Sequence, residues 1–268
     1  VSHAARGRVL AIANQKGGVG KTTTAINLGT ALSAVGEKVL LIDHDPQGNA
    51  STGLGVSPQM RGKTLYDVLM DGTPVAEAVM ATDIPGLSLL PADPDLSGVE
   101  LELGQSAGRA YRLRDALRRL GPGQAFDHVL IDCPPSLNLL TINALAAADA
   151  VVVPLQCEFF ALEGLSQLLR TIEQVRASLN PGLQVQGVVL TMFDRRNSLS
   201  SQVASDVRTH LKDKVYETMI PRNVRVSEAP SFGKPVLIYD LACSGSRAYL
   251  DLAREVIARE RREGPVAA

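Results

Sequence analysis

The chain reads as an α/β protein, a doubly wound and mostly parallel sheet with helices on both faces. Three observations predict this. A glycine-rich stretch, Asn14-Gln15-Lys16-Gly17-Gly18-Val19-Gly20-Lys21-Thr22-Thr23-Thr24, stands between a short apolar run and a segment with helical spacing. Short apolar runs without polar alternation recur along the chain, as strands buried on both faces do. Those runs alternate with helical patterns, and right-handed crossovers then place helices on either side of one sheet.

The first strand is expected over Val9-Leu10-Ala11-Ile12-Ala13, and the helix after the loop carries Ile26, Leu28, Leu32 and Val35. Between them the glycines let backbone N–H groups turn inward, and the following helix points its positive end at the same place. An anion is the expected occupant, with Lys21 reaching the β and γ phosphates and Thr22 ligating Mg2+. The plain Walker pattern asks for glycine at position 15, where Gln15 stands, and a second lysine, Lys16, is added.

A buried strand over Val39-Leu40-Leu41-Ile42 leads into Asp43-His44-Asp45-Pro46. Acidic residues at the carboxyl end of such a strand face the nucleotide, so one of Asp43 and Asp45 is expected to handle magnesium or water. Short helices follow over Thr64–Leu69 and Val75–Val79, then a strand at Leu87–Pro91 and helices at Leu96–Leu103 and through Tyr111–Leu120. The last carries Arg109, Arg112, Arg114, Arg118 and Arg119, read as a solvated face.

Val129-Leu130-Ile131-Asp132 fits a Walker B strand whose carboxylate holds Mg2+, with Pro134-Pro135 stiffening the next turn. Strand, helix and strand continue through Ala150–Pro154, Leu162–Leu179 and Val185–Thr191, and a helix from Arg247 to Glu263 packs Leu250, Ala253, Val256 and Ile257 before a solvated charged end. Residues 1–8 are expected to form a flexible arm, 9–263 one domain and 264–268 a tail.

Composition narrows the function. With 45% hydrophobic residues in 268, the chain has material for one large core. A net charge of -1 leaves nucleic-acid binding to a local basic patch, and 4% aromatic residues without tryptophan argue against reading single strands by stacking. No apolar run spans a bilayer, and the cytoplasm is the expected compartment. Cys133, Cys157 and Cys243 show no metal or disulfide spacing.

The run Lys16-Gly17-Gly18-Val19-Gly20-Lys21-Thr22-Thr23 resembles the deviant Walker A box of the ParA/MinD ATPases, which are P-loop NTPases. Similarity to the chromosomal ParA/Soj subgroup extends from about Val9 to Val256 and includes Gln47-Gly48-Asn49, Phe159-Phe160-Ala161-Leu162-Glu163-Gly164 and Ile220 to Pro230. That resemblance implies Mg2+-dependent hydrolysis of ATP, an ATP-bound sandwich homodimer that binds double-stranded DNA without sequence preference, release stimulated by a ParB-type centromere-binding partner, and a nucleoid location. It assigns the nucleotide to residues 16–23, with Lys16 reaching across to the partner subunit's site and Pro221 and Asn223 against the adenine. Thr22, Asp43 and Asp132 are implied for the metal, and Lys16, Lys21 and Asp45 for hydrolysis.

Arg196 and Arg225, ordinary surface charges on residue type alone, are implied to touch DNA across the dimer. His44 departs from the usual acidic switch, and the arm is too short for the separate DNA-binding domain of plasmid relatives. A positioning ATPase for a protein cargo has the same motor residues. A MinD-like membrane regulator is disfavoured because the tail offers only Pro265 and Val266 besides alanines and glycine. An iron–sulfur relative needs dimer-bridging cysteines, and Cys133 and Cys157 are not in that pattern.

Overall fold

The computed structural model describes residues 7–121 and 125–263, so most of the expected arm and the whole tail lie outside the described residues. Strand β1 (Arg8–Ile12) is followed by β2 (Val39–Asp43), β3 (Met80–Ala81), β4 (Leu87–Leu90), β5 (His128–Asp132), β6 (Ala150–Gln156), β7 (Gln184–Phe193) and β8 (Val215–Pro221). They form one sheet in the order β3-β4-β2-β5-β1-β6-β7-β8. Every neighbouring pair is parallel except β3 with β4. The carboxyl ends of seven strands therefore share one edge, where open α/β sheets bind ligands.

The helices, in chain order, are α1 (Lys21–Ala34), α2 (Asn49–Gly53), α3 (Leu65–Met70), α4 (Val75–Ala78), α5 (Val99–Leu103), α6 (Arg112–Leu117), α7 (Leu139–Ala147), α8 (Ala161–Ser178), α9 (Ser198–Leu211), α10 (Val224–Glu228), α11 (Val236–Tyr239) and α12 (Ser244–Glu263). Successive strand residues point to opposite faces, which splits the core in two. Leu10, Ile12, Val39 and Leu41 pack with α1 and α12, whereas Val9, Ala11, Leu40 and Ile42 pack with α7, α8 and α9. Central strands buried on both sides account for the uninterrupted apolar runs of the sequence.

Strand β1 begins at Arg8, one residue earlier than expected. The last helix starts at Ser244, and its buried stripe is Tyr249, Leu252, Ala253 and Val256, while Leu250 and Ile257 are only half-buried. Its charged end is solvated at Arg261 and Arg262, as expected, but packed at Arg259 and Glu260. Arg259 donates to the Val215 carbonyl at 2.8 Å and lies over the Tyr216 ring, and Glu260 accepts from His128 at 2.8 Å and Gln186 at 3.2 Å. Two of the arginines around α6 also hold structure: Arg109 donates to the Gly104 carbonyl, and Arg114 pairs with Asp115 and covers the Tyr111 ring. Among the described residues no helix is long and apolar enough to cross a membrane.

Candidate nucleotide site

The glycine-rich loop leaves β1 and enters α1 at that shared edge. Gly18 (φ 75°) and Gly20 (φ 87°) occupy the left-handed region, which a side chain strains. Gly20 is the N-cap of α1 and no side chain caps the helix, so its first-turn N–H groups stay directed at the loop. Asn14 braces the loop from below, donating to the Pro154 carbonyl (2.8 Å) and accepting from the Lys16 amide (3.0 Å). From β7, the Thr191 hydroxyl donates to the Val19 carbonyl at 2.8 Å.

Lys21 is buried, and its ammonium donates to the Lys16 carbonyl at 2.9 Å. Burial lowers its pKa, while Asp132, Cys133 and Asp45 act in the opposite direction. An open cleft of about 540 Å³ spreads in front of it, lined among others by Gly17, Gly20, Thr22, Thr23, Asp45 and Pro134. Gln47 and Asn49 line it from the turn after β2, Ser97 from beyond β4, and Met192 from β7.

The electrostatics are set by strand register. Asp43 ends β2 directly opposite Asp132, which ends β5, so two fully buried carboxylates project from paired positions on strands about 5 Å apart. Asp43 accepts from the Ser51 amide (2.8 Å) and hydroxyl (2.6 Å) through one oxygen. Its other oxygen and both oxygens of Asp132 are buried without a hydrogen-bond partner. The Thr22 hydroxyl lies beside Asp132 and favours its ionised form without closing a hydrogen bond. Burial, opposed by the Ser51 hydrogen bonds, pushes Asp43 up to about 6. Burial and then the Asp43 charge push Asp132 well above the carboxylate range. Buried, unsatisfied carboxylate oxygens next to a hydroxyl at a phosphate loop suit a hard divalent cation, and Mg2+ takes one or two carboxylates with phosphate and water oxygens. The residues present fit that ion.

His44 follows Asp43 into the interior. It is fully buried, its Nε2 lies 2.8 Å from the Leu140 carbonyl, and burial lowers its pKa to about 4, so it is a neutral imidazole donating through Nε2. Asp45 sits at the cleft with one oxygen accepting from the Gln47 amide at 3.0 Å.

The remaining predicted residues lie farther along the edge. Lys16 pairs with Glu158 at 2.5 Å, at the end of β6. Pro221 and Asn223 are not among the residues lining the cleft. Pro221 ends β8 and Asn223 follows it, three strands or about 14 Å from β1. Asn223 caps α10, accepting from Arg225 and Val226 amides and donating to the Ser244 hydroxyl at 2.9 Å. Arg196 is exposed and chelated by Asp194, and Arg225 pairs with Glu228 at 3.2 Å and Asp240 at 3.5 Å. Sequence reasoning missed Ser51, whose bond to Asp43 depends on the turn after β2, and Glu158, whose partner Lys16 is remote in the chain. It also gave no role to Gln47, Asn49 or Met192; the left-handed φ of 50° at Met192 is invisible in sequence.

A family model described as an AAA domain matches residues 7–185. A chromosome partitioning protein ParA of Caulobacter vibrioides is 73% identical over 254 residues, covering 95% of each chain. The sporulation initiation inhibitor protein Soj of Bacillus subtilis is 52% identical over 252 residues, covering 94% of this chain and 99% of its own. Among solved structures, a protein from Mycobacterium smegmatis named cobyrinic acid a,c-diamide synthase, crystallised with an ATP analogue and magnesium, superposes with a TM-score of 0.85 at 40% identity, over 97% of both chains. Identity this high over nearly the full length, on a fold whose phosphate loop and paired aspartates meet at one edge, makes the chain a member of the ParA/Soj family of chromosome-partitioning ATPases.

Proposed function

We propose that the protein hydrolyses ATP to ADP and phosphate with Mg2+, and uses the bound triphosphate to switch between a monomer and a sandwich dimer that holds DNA. The observation that carries this is the buried Asp43–Asp132 pair with three unpartnered oxygens, Asp132 lying beside Thr22 and Lys21. Two adjacent buried negative charges are costly alone and become favourable beside a bound cation.

Residues 16–23 grip the phosphates through the uncapped amides of α1 and the Lys21 ammonium. The Thr22 hydroxyl, Asp132 and Asp43 would hold Mg2+, which when bound would supply positive charge to the phosphate oxygens. Asp45, with one oxygen tied to the Gln47 amide, orients the attacking water and accepts its proton. Pro221 and Asn223 flank the base. Lys16 exchanges Glu158 for the phosphates in the partner subunit's site, stabilising charge there. Two exposed rings next to Glu158 in the chain, Phe159 at 75% and Phe160 at 63%, support a protein partner at this edge.

In the dimer, Arg196 and Arg225 from both protomers converge on DNA phosphates, exchanging their carboxylate partners for them. Contacts made twice raise affinity, and hydrolysis releases them. A ParB-type centromere-binding partner stimulates that step, and the nucleoid is the site of action. The test is DNA retention with ATP, ADP or no nucleotide, at low and raised salt. ATP alone should give salt-sensitive binding, lost in Lys21→Ala; binding indifferent to nucleotide, or surviving that substitution, contradicts the reading.

A further inference from the structure

The turn that carries Asp45 into the cleft is held from behind by Arg61, a residue with no part in the nucleotide site itself. Its Nη1 donates to the Ala92 carbonyl at 2.9 Å. Nη2 donates to the Thr52 hydroxyl at 2.9 Å and to the Gly48 and Val56 carbonyls, both at 3.2 Å. Nε reaches the Val56 carbonyl at 3.4 Å. Every acceptor is neutral, so the guanidinium serves as a five-donor fork rather than as half of an ion pair.

None of these acceptors lines the cleft, but Gly48 stands in the middle of a stretch that does. Gly48 is the N-cap of α2, lies between the lining residues Gln47 and Asn49, and has φ 63°. The guanidinium covers it so closely that a Cβ there would meet Nη1 at 2.3 Å. Ala92 opens the segment that leads to Ser97, another residue lining the cleft. Besides Arg61, the five-residue α2 is anchored by Ser51 on Asp43 and by Ala50 packed against α1, neither of which ties down the Gly48 carbonyl, and so short a helix does not hold itself.

We propose that Arg61 is a positioning residue for hydrolysis: it locks the Pro46–Asn49 turn, and with it Asp45, at a fixed distance from the phosphate loop. The inference rests on the reading of Asp45 as the residue that handles the attacking water. Since Arg61 is absent from the residues that line the cleft, its loss should spare nucleotide binding and strike the chemical step.

The test compares full-length wild type, Arg61→Ala and Arg61→Lys in affinity for a fluorescent ADP with Mg2+, in ATP turnover, and in amide exchange over Gln47–Gly53. Displacements on the order of 1 Å cost up to ~100-fold, so kcat should fall about 10- to 100-fold in both variants while KM and ADP affinity stay within about 3-fold. Exchange over Gln47–Gly53 should quicken, and lysine, a point charge without the fork, should restore the melting temperature but not kcat. The inference is overturned if kcat is unchanged, if kcat and ADP affinity fall together with the melting temperature as in general loosening, or if exchange in the turn is unaltered. Absence of turnover in wild type would instead sink the hydrolytic reading, and the exchange measurement would still decide whether Arg61 holds the turn.

Discussion

Replacing Asp43 by asparagine should make the nucleotide-free protein more stable while disabling it. Asp43 is fully buried beside Asp132, and its carboxyl titrates at about 6 against an ordinary value of 3.8. The folded state therefore takes up a proton at higher pH than the unfolded chain. Stability from this group is fully present below about pH 4, declines as pH rises to about 6, and stays reduced above that. A shift of this size corresponds to about 3 kcal/mol at most at neutral pH, and with relaxation of the buried pair to something on the order of 1–3 kcal/mol. Asparagine keeps a carbonyl oxygen for Ser51 and carries no charge.

At 2–4 °C per kcal/mol for a chain of this class, the variant should melt about 2–12 °C higher at pH 7.5. Thermal unfolding in EDTA without nucleotide, at pH 7.5 and pH 4.5, measures this, and the gap should narrow to about a third at the lower pH. An ATP analogue with Mg2+ should raise the wild-type melting temperature and leave the variant's nearly fixed. A variant no more stable than wild type at pH 7.5, or a gap independent of pH, would refute the assignment of the cost to buried charge.

His44 should act with the opposite sign, because its folded pKa near 4 lies below the ordinary 6.5 and its contribution is lost as pH falls between them. Urea unfolding should show the advantage of wild type over His44→Gln shrinking by about 2–3 kcal/mol from pH 7 to 4.5; a constant difference counts against it. Asp45→Ala should leave an ATP dimer that persists in size-exclusion chromatography, with phosphate release down by ~10²- to 10⁴-fold, and wild-type release would remove Asp45 from the mechanism. Arg225→Ala frees only half-exposed partners, Glu228 and Asp240, so it should fold and dimerise normally. Its DNA affinity should depend on log salt with a slope shallower by roughly 0.9 per protomer, and an unaltered slope denies it a phosphate contact.

Much of this fold was legible because the buried strands betray themselves twice, by unbroken apolar runs and by the loops at their carboxyl ends. Each of β1, β2 and β5 hands its chain to a loop with phosphate or metal chemistry, so fold and site were read from the same residues. The edge was less readable. Strand β8 is Val-Tyr-Glu-Thr-Met-Ile-Pro, half-exposed and without clear alternation, and α9 buries only Ser200, Val203, Ala204 and Val207 among polar neighbours. The apolar helix α7, two-residue β3 and short α2 were likewise missed, since tertiary packing rather than local periodicity defines them. In the site, residue types gave Lys21, Thr22 and Asp132, but not the register that sets Asp43 against Asp132 or the Ser51 contact that holds it. Glu260 at the charged end of α12 looked solvated because its partners, His128 and Gln186, are more than 70 residues away in sequence.

The central claim is that a bound triphosphate decides whether two copies stand together. Sedimentation velocity with a slowly hydrolysed ATP analogue and Mg2+, against ADP and Mg2+, addresses it most directly. The account predicts a dimer with the analogue and a monomer with ADP, and a dimer lost in Lys16→Ala. A protein that stays monomeric with saturating analogue, or dimerises equally with ADP, would contradict it.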